Sequence, residues 1–169
     1  MTPTLLDQYR RWFEYEKDSH RKVLESLETV PDEDRRSEPY QKALNIMGHI
    51  IAARQMWLHR MDPNFERPAE LFPTSMTRED LSARLDAMER GWSDRFARLA
   101  ESDLQSPFTY RTTEGDWYRS TMADVLTQLH GHSLYHRGQI ASLVRAAGGQ
   151  PAQTDFIFWC REPAEAPNA

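Results

Sequence analysis

Two of the chain's six histidines, His132 and His136, stand four residues apart. In a helix this spacing sets both imidazoles on one face, one above the other, where they can chelate a single divalent ion. Far upstream, His49 follows Gly48 and lies three residues from Ile46 and four from Ala53, beside the apolar face of its own segment. Three neutral nitrogen ligands that leave a coordination position open are what a catalytic zinc or related divalent ion needs to bind and acidify water. A structural site would take a fourth protein ligand. Taken alone, a His-x-x-x-His pair reads equally well as two satisfied core or boundary histidines, so convergence with His49 is what matters.

Other polar residues fall on or near apolar stripes. Glu16 and His20 follow Trp12 and Phe13 and precede Val23 and Leu24. They are candidates to orient a ligand imidazole or to move a proton near the ion; the plainer alternative is that they sit near the bundle end and reach water. Gln139, three residues after His136, can hydrogen-bond a ligand or line a cavity. Arg137 can meet an anionic group or a tail carboxylate such as Asp155. His59 and His130 fall outside the inward positions and read as surface or boundary residues. Trp12, Trp57 and Trp92 read as packing residues.

Four helices must position these groups. Leu5, Tyr9, Trp12, Phe13, Val23, Leu24 and Leu27 have the three-and-four spacing of an amphipathic helix that ends before Pro31. A second helix is expected over 40–61, with Ala43, Met47, Ile50, Trp57 and Met61 on one face and Pro63 beyond it. Residues 62–76 carry Pro63, Pro68 and Pro73 and read as an extended connection. Stretched out, such a segment spans about 50 Å, enough to return along a helix and join two parallel ones. The third helix starts at the Thr77/Asp80 capping pair and shows the cleanest stripe, Leu81, Leu85, Met88, Trp92, Phe96 and Leu99. Residues 107–120 hold two short β-prone stretches around Glu114, Gly115 and Asp116, which predicts a small hairpin at one end of the bundle. The last helix begins at Thr121/Asp124 and stops at Gly148 and Gly149, with an inward stripe of Met122, Val125, Leu129, His132, His136, Ile140, Leu143 and Ala147. The apolar DFIFWC segment is expected to dock back on the bundle, and 161–169 to fray. The fold class is thus all-α, a four-helix bundle in a single domain over 1–169.

Composition narrows the function. Lys and Arg are interleaved with Asp and Glu, and the net charge is −5, so the clustered basic face that nucleic acid needs is not evident. Cys160 is the lone cysteine, which rules out an intrachain disulfide and points to a reducing compartment; a reactive thiol there is the lesser reading. The N-terminal segment turns charged within its first ten residues, unlike a signal peptide, and no apolar run nears the roughly 20 residues of a membrane span. The expectation is a soluble cytoplasmic protein.

The run His132-Ser-Leu-Tyr-His136-Arg-Gly-Gln, then Ala-Gly-Gly-Gln-Pro and Asp155-Phe, resembles the ending of the DinB/YfiT-like proteins, and the upstream NIMGHIIAARQMWLHRM resembles that family's second helix. The resemblance implies an up-down-down-up bundle, a divalent metal on His49, His132 and His136, and a homodimer. Members similar to this chain include transferases and isomerases that use low-molecular-weight bacterial thiols. A ferritin-like di-iron bundle needs inward Glu-x-x-His pairs, and a zinc protease needs His-Glu-x-x-His; neither is present.

The leading expectation is therefore a metal-dependent enzyme acting on a small molecule, with a low-molecular-weight thiol as co-substrate. Zinc or nickel comes ahead of iron or manganese as its ion. A metal-dependent hydrolase is the first alternative. A non-catalytic, metal- or ligand-binding stress protein is the second. An open, water-bearing coordination position favours an enzyme; a shell closed by Glu16, His20 or another protein group favours structure or sensing.

Overall fold

The computed structural model describes residues 2–165. Four long helices form a bundle: α1 (Leu5–Glu28), α2 (Glu38–Met61), α3 (Arg78–Arg98) and α4 (Met122–Ala146). A two-stranded antiparallel hairpin, β1 (Pro107–Arg111) with β2 (Trp117–Thr121), precedes α4, and a short α5 (Phe156–Cys160) follows it. Capping boxes start three of the helices, at Thr4/Asp7, Thr77/Asp80 and Thr121/Asp124, each satisfying two orphan backbone donors at once. Ser37 caps α2, whose Pro39 sits in the first turn, where no backbone donor is needed. Past the end of α4, Gly148 takes φ +78°, a conformation that a side chain would strain.

Contacts between helices fix the directions. Tyr9 bonds Thr127 near the start of both α1 and α4, and Ser26 reaches Gln150 just past their ends, so α1 and α4 run parallel. Phe13 packs on Phe96 while Arg78 pairs with Glu28, which sets α3 antiparallel to α1. Asn45 accepts from the Met76 amide, and the Trp92 indole donates to the Arg54 carbonyl, so α2 and α3 run the same way. The order is up-down-down-up. The irregular, proline-bearing segment between α2 and α3 makes the crossover that parallel neighbours require. Its Pro68, Pro73 and Met76 are buried, so it lies against the bundle instead of looping away.

The α3 stripe is buried as its periodicity predicts, with Leu81, Met88 and Trp92 fully enclosed. The α4 stripe differs from expectation. Met122, Val125, Leu129, Ile140 and Ala147 are buried as expected, but the seam also takes in Leu126, Ser133, Arg137 and Val144, while His132, His136 and Leu143 are half-buried at its margin. The reason is a polar centre in the core that turns the helix toward α1. Glu16, 1% exposed, bridges two buried arginines, Arg54 of α2 and Arg137 of α4. Arg54 also donates to Ser133 Oγ at 3.2 Å, and Arg137 to the Tyr15 hydroxyl at 2.7 Å. Glu16 and His20 therefore do not sit at a wet bundle end, because both are fully enclosed. Arg137 is claimed by Glu16 instead of Asp155.

The DFIFWC segment docks as predicted: Tyr15 donates to the Thr154 carbonyl and meets Phe156 and Trp159 edge-on, although Ile157 and Phe158 stay exposed. Residues 161–165 are irregular and exposed. The rest of the expected frayed end, 166–169, lies outside the described residues. No helix among the described residues is long and apolar enough to cross a membrane.

Burial alone would raise the Glu16 pKa. The Arg54 charge chiefly, with His130, His20 and Arg137, outweighs it and holds the carboxyl at about 2. Because the folded pKa lies below the ordinary value of 4.5, this group's stabilisation is complete above about pH 4.5 and lost as pH falls toward 2. Glu16→Ala strands two guanidiniums and should cost about 3–5 kcal/mol in urea unfolding at neutral pH. It should also flatten the acid limb of the stability profile between those pH values. A variant as stable as the wild type would refute the role assigned to the carboxylate.

Candidate metal centre

α2 and α4 pack together so that the half-buried margins of their faces bring His49, His132 and His136 together. One nitrogen from each ring lies within 4.8 Å of the others, and His49 Nε2 is 3.1 Å from His132 Nε2. Two nitrogens bound to one ion at 2.0–2.1 Å in tetrahedral geometry would stand about 3.3 Å apart, so the spacing suits a shared ion. No Cys, Asp or Glu among the described residues joins the cluster.

The orientation of two of the rings follows from the other nitrogen. His49 Nδ1 is 2.6 Å from the Leu71 carbonyl oxygen. That oxygen only accepts, so Nδ1 carries the proton and Nε2 presents its lone pair to the cluster. Gln139 does the same for His136, with Oε1 2.7 Å from Nδ1. His132 Nδ1 is buried and has no hydrogen-bond partner. Burial first, then its two histidine neighbours, lowers the His132 pKa to about 4; burial also lowers that of His49. Both rings are neutral at pH 7, the form that binds metal. The donor set fits a divalent ion.

The crossover supplies what the helices cannot. Leu71 anchors His49, and Phe72 stacks on its ring at 4.5 Å between centroids. Phe72 and Tyr135, 72% and 66% exposed, lie against His49 and His136 respectively. Gly48 lets the crossover come this close: a Cβ there would lie 2.7 Å from Met76 Cγ and 2.8 Å from Pro73 Cγ.

Glu16 and His20, candidates from the sequence to orient a ligand ring, bond to none of the three histidines. His20 Nδ1 contacts Glu89 at 2.8 Å, and Glu16 is held by its arginines. Gln139 does touch a cluster ring. His59 donates to the Phe65 carbonyl, whereas His130 stacks on Trp12 with its Nδ1 3.4 Å from Glu16. Leu71, Phe72, Arg54 and Ser133 escaped the sequence reading. A carbonyl contact carries no side-chain signature, and Ser133 shows itself only once the α4 seam is known.

The model of the DinB family matches residues 1–165. The chain belongs to the DinB family. A similar protein, Protein DinB of Bacillus subtilis (strain 168), is 20% identical over 156 residues, covering 85% of this chain and 88% of the relative. Within the DinB bundle described here, the histidine cluster could hold an ion between α2, α4 and the crossover.

Gly48→Val should push the crossover off α2. Overpacking of this kind costs about 1–3 kcal/mol, more than the few tenths gained in helix propensity. Released from Leu71, His49 should bind metal about 10–100-fold more weakly in competition with a chromophoric chelator. Unchanged affinity would show that the Leu71 carbonyl does not position the ring.

Proposed function

We propose that this DinB-family protein is a divalent-metal-dependent enzyme that activates a low-molecular-weight thiol for transfer to a small electrophile. The observation that carries this reading is the convergence of three imidazole nitrogens at a half-buried site with no fourth His, Cys, Asp or Glu ligand among the described residues. The three histidines would hold the ion, whose charge would lower the pKa of a thiol beside it enough that no side-chain base is required. Water activation for hydrolysis gains more from a carboxylate base, and Glu16, the one fully buried carboxylate among the described residues, is engaged by Arg54 and Arg137. This favours thiol transfer over hydrolysis.

The chain's own groups have defined tasks. His49 and His136 are held in one tautomer by Leu71 and Gln139, while His132 stays neutral through burial. Phe72 and Tyr135 give an apolar rim for the electrophile. In the reaction a carbon–sulfur bond forms as the leaving group departs with its electron pair, and the thiol proton passes to solvent.

Tag-free protein should contain close to one equivalent of divalent metal, lost in both His49→Ala and His132→Ala. The loaded wild type should accelerate the reaction of small thiols with an aryl halide, and the variants should not. Metal absent after reconstitution with several divalent ions would overturn the metalloenzyme reading. Bound metal without thiol chemistry would leave the hydrolytic and non-catalytic alternatives.

A further inference from the structure

At the C-terminal end of α2, the helix, the start of the crossover and the hairpin line an open cavity of about 710 Å³ that includes none of the three clustered histidines. Arg60 lies eleven positions beyond His49 on α2, roughly 16 Å along the axis, so this is a separate place in the fold. Its volume falls in the range of small-molecule sites.

The charge of the wall is unusual for this chain. Three guanidiniums, from Arg60, Arg67 and Arg111, line the cavity against one carboxylate, Glu114. None of the three takes part in any ion pair found among the described residues. Arg54 and Arg137, by contrast, share a buried carboxylate; what distinguishes this wall is that three guanidiniums gather around one cavity in a chain whose net charge is −5.

Two of the groups are also held in place. Arg60 is 4.7 Å from the Trp57 ring centroid and 5.0 Å from that of Tyr110, and its Nε is buried with no hydrogen-bond partner. Arg111 donates from Nε to the Gly115 carbonyl at 2.8 Å, across a turn in which Gly115 takes φ +102°. A guanidinium whose position is fixed in advance loses little entropy on meeting a planar oxyanion, which it can grip with two parallel hydrogen bonds. On the same wall Trp117, 68% exposed, offers a flat apolar surface.

We infer that this cavity binds a small organic anion, whose carboxylate or phosphate group is held by Arg60, Arg67 and Arg111 while its flat apolar body lies on Trp117. The gathered positive charge is matched by such a ligand, and the aromatic wall explains why it should be more than an inorganic ion. The inference does not depend on metal at the histidines.

The test is calorimetric titration of the full chain at low salt with phenyl phosphate, benzoate and inorganic phosphate. At least one aryl anion should bind saturably; the better of the two tells phosphate from carboxylate. Arg60→Gln should weaken binding about 10- to 100-fold, as loss of a charged hydrogen bond implies. Because Arg60 also packs on Trp57, Arg67→Gln, exposed on the crossover, gives the same test without touching the core and should weaken binding several-fold. Trp117→Ala should weaken the aryl anions and spare inorganic phosphate. Arg21→Gln, on the exposed face of α1, should change nothing. Absence of saturable binding for all three anions, or equal affinity in wild type and both arginine variants, would overturn the inference.

Discussion

A carboxylate taken out of water must be met by positive charge, and in this bundle Glu16 is met by one arginine from α2 and one from α4. The cost of desolvating the three groups offsets much of their attraction, so their net stabilisation is modest. Their effect lies in excluding alternatives. Any slip of α2 against α4 would leave a buried charge unmatched, at a cost of several kcal/mol. The same pair of helices carries His49 opposite His132 and His136, so the register that satisfies Glu16 also brings the imidazoles together.

The histidine cluster depends on a second constraint, the close approach of the crossover to α2. Parallel α2 and α3 oblige the connection to run back along the bundle, and its buried Pro68, Pro73 and Met76 seat it against the helices. The missing side chain at Gly48 then allows Leu71 and Phe72 to reach His49. The residues that fix the ring are thus consequences of topology. This explains why the connection is more than a tether, and why a loop carbonyl takes the place that a carboxylate fills in other histidine sites.

Much of the fold was legible because its signals are local. Capping pairs marked the starts of α3 and α4, Gly148 and Gly149 the end of α4, and Glu114-Gly115-Asp116 the hairpin turn. Of the candidate site, the three histidines and the contact of Gln139 with His136 could be read from spacing. The α4 seam was misjudged because periodicity assigns the inward face to apolar residues. Here Ser133 and Arg137 face inward on account of Glu16, a partner 121 residues from Arg137 in sequence. For the same reason Glu16 and His20 were recognisable as inward, yet their partners Arg54 and Glu89 were not. Long-range charge pairing leaves no periodic trace.

The central claim is that His49, His132 and His136 hold one divalent ion and leave part of its coordination to non-protein ligands. X-ray absorption spectroscopy of metal-loaded, tag-free protein tests it most directly. The account predicts scattering from three imidazoles, with nitrogen at about 2.0–2.1 Å for zinc, plus at least one exchangeable light-atom ligand that is replaced by sulfur when a small thiol is added. A shell closed by a fourth protein ligand, or an ion bound without imidazole, would contradict it.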